Sequence, residues 1–136
     1  MTVRAITALL RSTDVAGAID FYTKLLGFEV RGMQRREDGT PFWCYLQAPG
    51  CDAAIMFAVG EAGTTPSMTG SLYIYSNDIR AAWDHLKDKA KVDYSPVRMF
   101  YDMVEFGIHD PHGYLLRFGQ DVSEVKNVES IPVFTE

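Results

Sequence analysis

No apolar run in the 136-residue sequence approaches the roughly 18 residues needed to cross a bilayer. The first residues, MTVRAITALLRSTD, carry charge where a signal peptide needs a long apolar stretch and a small-residue cleavage site. A soluble, cytoplasmic protein with no membrane partner is the resulting expectation. Cysteine is also scarce: Cys44 and Cys51 match neither a paired zinc knuckle nor a disulfide framework, and free thiols are expected. Basic residues are outnumbered, 13 against 18 acidic, and the formal charge of -5 argues against nonspecific nucleic-acid binding, which needs Lys and Arg on phosphates. That charge weakly favours neutral or cationic ligands, although it also serves solubility. Nucleophile elbows, phosphate loops and dinucleotide fingerprints are absent. The three histidines are badly placed for chemistry: His85 falls within a helical segment, and His109 and His112 flank a turn without a third or fourth ligand nearby.

What is present is ordinary for a globular protein, with 47% hydrophobic and 23% charged residues. A chain of this length buries roughly two-thirds of its unfolded surface, so a real core forms without staples.

The chain also repeats itself. DVAGAIDFYTKLLG, residues 14–27, sets Val15, Ala18, Ile19, Tyr22, Leu25 and Leu26 on one helical stripe, with Thr13 or Asp14 to cap its start and Gly27 its end. DIRAAWDHLKDKA, from Asp78, sets Ile79, Ala82, Trp83, Leu86 and Ala90 likewise, with Asn77 or Asp78 as cap. Asp14 matches Asp78, Ala18 matches Ala82, Asp20 matches Asp84 and Ser12 matches Ser76, all at an offset of 64 residues. A strand-like run precedes each helix, AITALLR and SLYIYS, and three candidate strands follow each: about 28–35, 41–48 and 53–59, then 92–101, 103–109 and 113–119. Turn signals join them, Asp38-Gly39, Ala48-Pro49-Gly50 and Asp110-Pro111-His112-Gly113. The predicted fold class is therefore α+β: two βαβββ modules, about 1–59 and 71–120, in one domain spanning 1–136, with a connector at 60–70 and a tail at 121–136. Modules this small pack together and share mixed, curved sheets around a space that is the expected ligand cavity.

The run DVAGAIDFYTKLLGF and the closing EFGIHDPHGYLLRFGQ resemble the first helix and last hairpin of the glyoxalase, bleomycin resistance and extradiol dioxygenase (vicinal oxygen chelate) superfamily. With the repeat, the likeness extends to Asp121. Metal-dependent members carry His, Gln or Glu on the opening and closing strand of each module. The resemblance puts those positions here on Thr7 and Met56, and on Ser71 and Arg117. Hydroxyls are poor ligands at neutral pH, a thioether suits soft copper, and Arg cannot coordinate, so neither a metal nor any other cofactor is expected. Among the branches the chain looks most like the bleomycin resistance type: metal-free, dimeric and drug-sequestering. Ala8 stands where such proteins often carry a strand-swapping proline, which leaves strand exchange open but not dimerisation.

Alternation sends Tyr73 and Tyr75 to the ligand face of their strand with Ser71, where they either stack on a flat ligand or pack at an interface. Phe42, Trp43, Tyr45, Phe100 and Tyr101 occupy positions where bleomycin-binding relatives tend to place aromatics. Trp43 with Tyr45 is the expected pair on the third strand, since the indole is too large for the layer beneath the helix. An inward Arg117 must meet an anion, either Glu105 or an acidic ligand. The expected ligand-binding set is thus Thr7, Trp43, Tyr45, Met56, Ser71, Tyr73, Tyr75, Tyr101 and Arg117, with no catalytic residue, and Tyr73, Tyr75, Trp43 and Arg117 sharing one cavity. The resulting reading is a homodimer that binds a small organic molecule, for instance in drug sequestration. Two alternatives stay open: a glyoxalase-like lyase or other enzyme of this superfamily, and a homodimeric scaffold whose cavity is filled by its own side chains.

Overall fold

The structure is a computed structural model that describes residues 1–135. The repeated aspartates decide where both helices begin. Asp14 accepts a hydrogen bond from Gly17 N at 3.0 Å while Ser12 Oγ accepts from Asp14 N at 2.9 Å; Asp78 accepts from Ala81 N and Ser76 Oγ from Asp78 N, both at 3.1 Å. This serine–aspartate device satisfies amides that a helix start leaves orphaned, and it sets the entry to α1 (Val15–Asp20) and α2 (Ile79–Leu86). Instead of continuing regularly to Gly27, α1 widens into a π turn, Phe21–Leu25, within which the Thr23 hydroxyl donates to Ile19 O at 2.7 Å. Gly27, at φ 76°, then lets the chain leave, and Phe28 N donates back to Tyr22 O.

The chain divides into two compact units, Met1–Ser67 and Met68 onward, and each is one βαβββ module. In the first, β1 (Ala8–Ser12), β2 (Glu29–Arg35), β3 (Pro41–Gln47) and β4 (Ala54–Val59) form a sheet in the order β1-β4-β3-β2. In the second, β5 (Leu72–Tyr75), β6 (Lys91–Arg98), β7 (Met103–His109) and β8 (Leu115–Asp121) repeat that order as β5-β8-β7-β6. The opening and closing strands pair parallel in both and the remaining pairs are antiparallel, so each sheet is mixed, as the α+β reading requires. The Asp110–Gly113 turn forms as expected: Asp110 accepts from the amides of His112 and Tyr114 at 2.9 Å, and Gly113 exits at φ 84°.

Each helix covers one face of its own sheet. Tyr22 of the first helical segment lies 5.1 Å from Phe57, over a layer of buried Cys44, Leu46 and Ile55; burial pushes the Cys44 thiol pKa up. Trp83 of α2 lies 5.2 Å from Phe106, which stacks on Phe118 above buried Val104, Ile108 and Leu116. Full burial of each such side chain contributes roughly 1.5–3 kcal/mol. Gln120 is also on this face, accepting from Ile79 N at 2.9 Å and donating to Asn77 O at 2.8 Å, which ties β8 to the start of α2. Because strand side chains alternate, burying Phe106 and Phe118 under α2 turns Glu105, Gly107, Arg117 and Gly119 to the opposite, open face.

The tail packs on the second unit. Arg98 N donates to Pro132 O at 2.8 Å, Phe134 N to Arg98 O at 2.9 Å, and the Arg98 side chain to Ile131 O at 2.8 Å. Ile131 is buried while Val133 and Phe134 stay largely exposed, and the tail pairs with Arg98 at the end of the edge strand β6.

Candidate functional site

The chemistry of the open face of the second sheet centres on Glu105, whose side chain is completely buried. A carboxylate in that position is tolerable only if its lone pairs are satisfied. Four donors do this: Tyr94 Oη (2.9 Å) and Arg117 Nη1 (3.4 Å) reach Oε1, while Tyr73 Oη (2.9 Å) and Tyr101 Oη (2.5 Å) reach Oε2. The hydroxyl bonds are much shorter than the contact with the guanidinium, so three tyrosines hold the charge and Arg117 balances it from one side. Arg117 also donates to Ser71 Oγ (3.1 Å) and Tyr94 Oη (3.2 Å), and its carbon centre lies 5.5 Å from the Tyr94 ring centroid. Its other terminal nitrogen, Nη2, makes no hydrogen bond to the described residues.

Strand register brings these groups together. Tyr73, Arg117, Gly107 and Tyr94 form one row across β5, β8, β7 and β6. Two glycines make room for the tyrosines on that face: a Cβ at Gly107 would run into the Tyr94 ring, and one at Gly119 would run into the Tyr73 hydroxyl. Beside this cluster Tyr73, Tyr75, Tyr101, Met103 and Arg117 line an open recess of about 350 Å³. Tyr73 and Tyr75 lie 5.1 Å apart, and Phe100, almost wholly exposed, abuts Tyr101 edge-on at 4.9 Å.

The first unit carries the corresponding row as Leu9, Met56, Tyr45 and Gly32. Trp43 and Tyr45 share the open face of β3 with Met56 of β4, and the Trp43 ring lies over Gly32. Thr7 immediately precedes β1 and is half-buried. A shallow recess beside Phe42 and Trp43, near Arg36 and Gln34, has no buried charge comparable to Glu105. Of the residues singled out in the sequence, Ser71, Tyr73, Tyr75, Tyr101 and Arg117 therefore gather in the second unit, and Thr7, Trp43, Tyr45 and Met56 belong to the first. Tyr94, Met103 and the two glycines were not foreseen. Tyr94 faces Gly107 across the strand pair, at a position between two register shifts that the sequence does not announce.

Neither set of positions suits a divalent cation. Ser71 is bonded to the Arg117 guanidinium, which stands where a ligand would be required, and Met56 offers only a thioether. Among the described residues no three His, Cys, Asp or Glu side chains converge as a metal site.

Burial, followed by the bond to Glu105, raises the pKa of each of the three tyrosines; Tyr101 is pushed up to about 12, and Tyr73 and Tyr94 go further. The folded chain therefore retains protons that the unfolded chain releases near pH ~10. The associated stability is complete below that pH and is lost as pH rises through the folded values. In an alkaline titration, phenolate absorbance should show at least three of the seven tyrosines, those at 73, 94 and 101, resisting ionisation until the protein unfolds. Ionisation of all seven near pH ~10 with unchanged circular dichroism would contradict the cluster.

Two βαβββ modules with parallel opening and closing strands define a class of two-module proteins. The family profile of the Glyoxalase/Bleomycin resistance protein/Dioxygenase superfamily matches residues 4–118, and the chain belongs to that superfamily. No curated protein matches the chain. Among solved structures it is similar to TnmS3, an antibiotic binding protein from Streptomyces sp. CB03234 (20% identity, TM-score 0.73, covering 89% of this chain and 98% of that one). It is also similar to TioX from Micromonospora sp. ML1 (18%, TM-score 0.71, 88% and 99%) and to a bleomycin resistance determinant encoded on transposon Tn5 (20%, TM-score 0.66, 88% and 98%). At these identities the likeness establishes the fold. No helix among the described residues is long and apolar enough to cross a membrane.

Proposed function

We propose that the protein is a metal-free homodimer that binds a small, flat organic molecule, as in drug sequestration, with the recess of the second unit as a binding surface. The observation that carries this reading is the set of Tyr73, Tyr75, Tyr101, Met103 and Arg117 around an open space of about 350 Å³, a size within the usual range for small-molecule pockets. Offset or edge-on stacking on such rings contributes roughly 0.5–1.5 kcal/mol per pair beyond burial. Solved structures described as an antibiotic binding protein and a bleomycin resistance determinant share the fold and support the same direction. The lyase alternative gains no such support, because Thr7, Met56, Ser71 and Arg117 are the wrong donors for a divalent metal. Against a self-filled scaffold, Tyr73, Tyr75, Tyr101, Met103 and Arg117 leave a recess open to solvent.

Sedimentation velocity followed at the absorbance of an added probe, first bleomycin and then 2-naphthamide, tests the binding and the dimer together. Probe absorbance should move with a protein boundary heavier than the 15.3 kDa chain. A boundary at chain mass removes the dimer, and failure of both probes to co-sediment removes the binding reading.

A further inference from the structure

The hydrogen-bond directions in the recess narrow what it can accept. A carboxylate has no proton to give, so the hydroxyls of Tyr73 and Tyr101, both bonded to Glu105 Oε2, must each spend their single proton on it. They therefore present only lone pairs to the recess, and the charge behind them makes those oxygens better acceptors. Arg117 contributes the opposite polarity: Nε and Nη1 are engaged with Ser71, Tyr94 and Glu105, while Nη2 still has protons to donate. Its positive charge is already opposed by Glu105, so the recess carries little net attraction for an anion.

We infer that this recess selects an uncharged planar ring bearing a hydrogen-bond donor beside a carbonyl, the donor meeting the Tyr73 or Tyr101 oxygen and the carbonyl meeting Arg117 Nη2, in preference to an aromatic carboxylate. The inference deepens the small-molecule-binding reading and rests on it. Burial and Glu105 both hold the tyrosines protonated, so the polarity persists throughout the neutral range. Two acceptors and one donor on a single wall, with Tyr75 beside Tyr73 as a stacking surface, match the edge of a primary aromatic amide. A carboxylate of the same shape would place a second negative charge against oxygens that have no proton to share.

Three naphthalenes with the same ring test this by titration against the intact protein: 2-naphthamide, with donor and acceptor; N,N-dimethyl-2-naphthamide, neutral with the acceptor alone; and 2-naphthoate, anionic with acceptors alone. 2-Naphthamide should bind roughly five-fold or more tightly than either analogue, the scale set by one hydrogen bond made or left unmade. Its advantage over the dimethyl amide should shrink in Tyr73→Phe, with Tyr101→Phe as a second, more exposed variant, provided circular dichroism shows each to be folded. Equal or tighter binding of 2-naphthoate overturns the inference and leaves the binding reading standing. An advantage that is unchanged in both folded variants also overturns it. No binding of any of the three, together with no binding of bleomycin, overturns both.

Discussion

Replacing Glu105 by alanine is expected to destabilise the second unit by about 3–5 kcal/mol, the usual cost of removing one member of a buried charged network. The substitution leaves three tyrosine hydroxyls without their acceptor and the Arg117 charge without its counter-ion. Tyr101 and Arg117 are partly exposed and can recruit water, which directs the expectation to the lower end of that range. Glu105→Gln should cost less, because it keeps one acceptor oxygen but turns an amide donor toward hydroxyls that are themselves donors. Arg117→Met should cost least of the three, since three hydroxyls still hold the carboxylate. Urea unfolding of the variants, with m-values compared, measures this order. An alanine variant within ~1 kcal/mol of the parent would mean that the network is dispensable to the fold.

Gly119→Ala should have the next largest effect, about 1–3 kcal/mol of overpacking and a misplaced Tyr73. Its Cβ would occupy the position of the Tyr73 hydroxyl, so the ring must swing away and release Glu105 Oε2. Without that clash the same substitution in a strand would be neutral or favourable, because glycine weakens strand interiors. Combining it with Tyr73→Ala separates the two effects: most of the penalty should disappear in the double variant, giving a coupling of about 1 kcal/mol or more. A penalty independent of residue 73 would assign the cost to the backbone of β8 instead.

Much of the architecture was readable because it is written in local signals. Ser12–Asp14 and Ser76–Asp78 cap helices through contacts only two or three residues long, and Asp110–Gly113 closes a turn within itself. Alternation along the opening strand of the second module was equally direct, and it put Tyr73 and Tyr75 on one face with Ser71. β6 was harder to read. Its pairing with β7 slips between Val92 and Tyr94 and again between Tyr94 and Val97, so a simple period of two could not show that Tyr94 reaches Glu105. The π turn after Asp20 was equally hidden, because the apolar stripe there has the same composition as that of a regular helix.

By itself the sequence determined two βαβββ modules, their order and their turns, which follow from neighbours along the chain and from the 64-residue repeat. The resemblance to the superfamily added that Arg117 stands on the last strand where a metal-binding relative needs a ligand. Only the tertiary structure decided which anion Arg117 meets, because Glu105 and the tyrosines at 73, 94 and 101 come from three strands and a turn that converge only through sheet register. The same register decided that Gly107 and Gly119 make room for aromatic rings, and the tail met Arg98 at the end of β6. Contacts of this kind depend on distances between segments far apart in sequence, and no local preference specifies them.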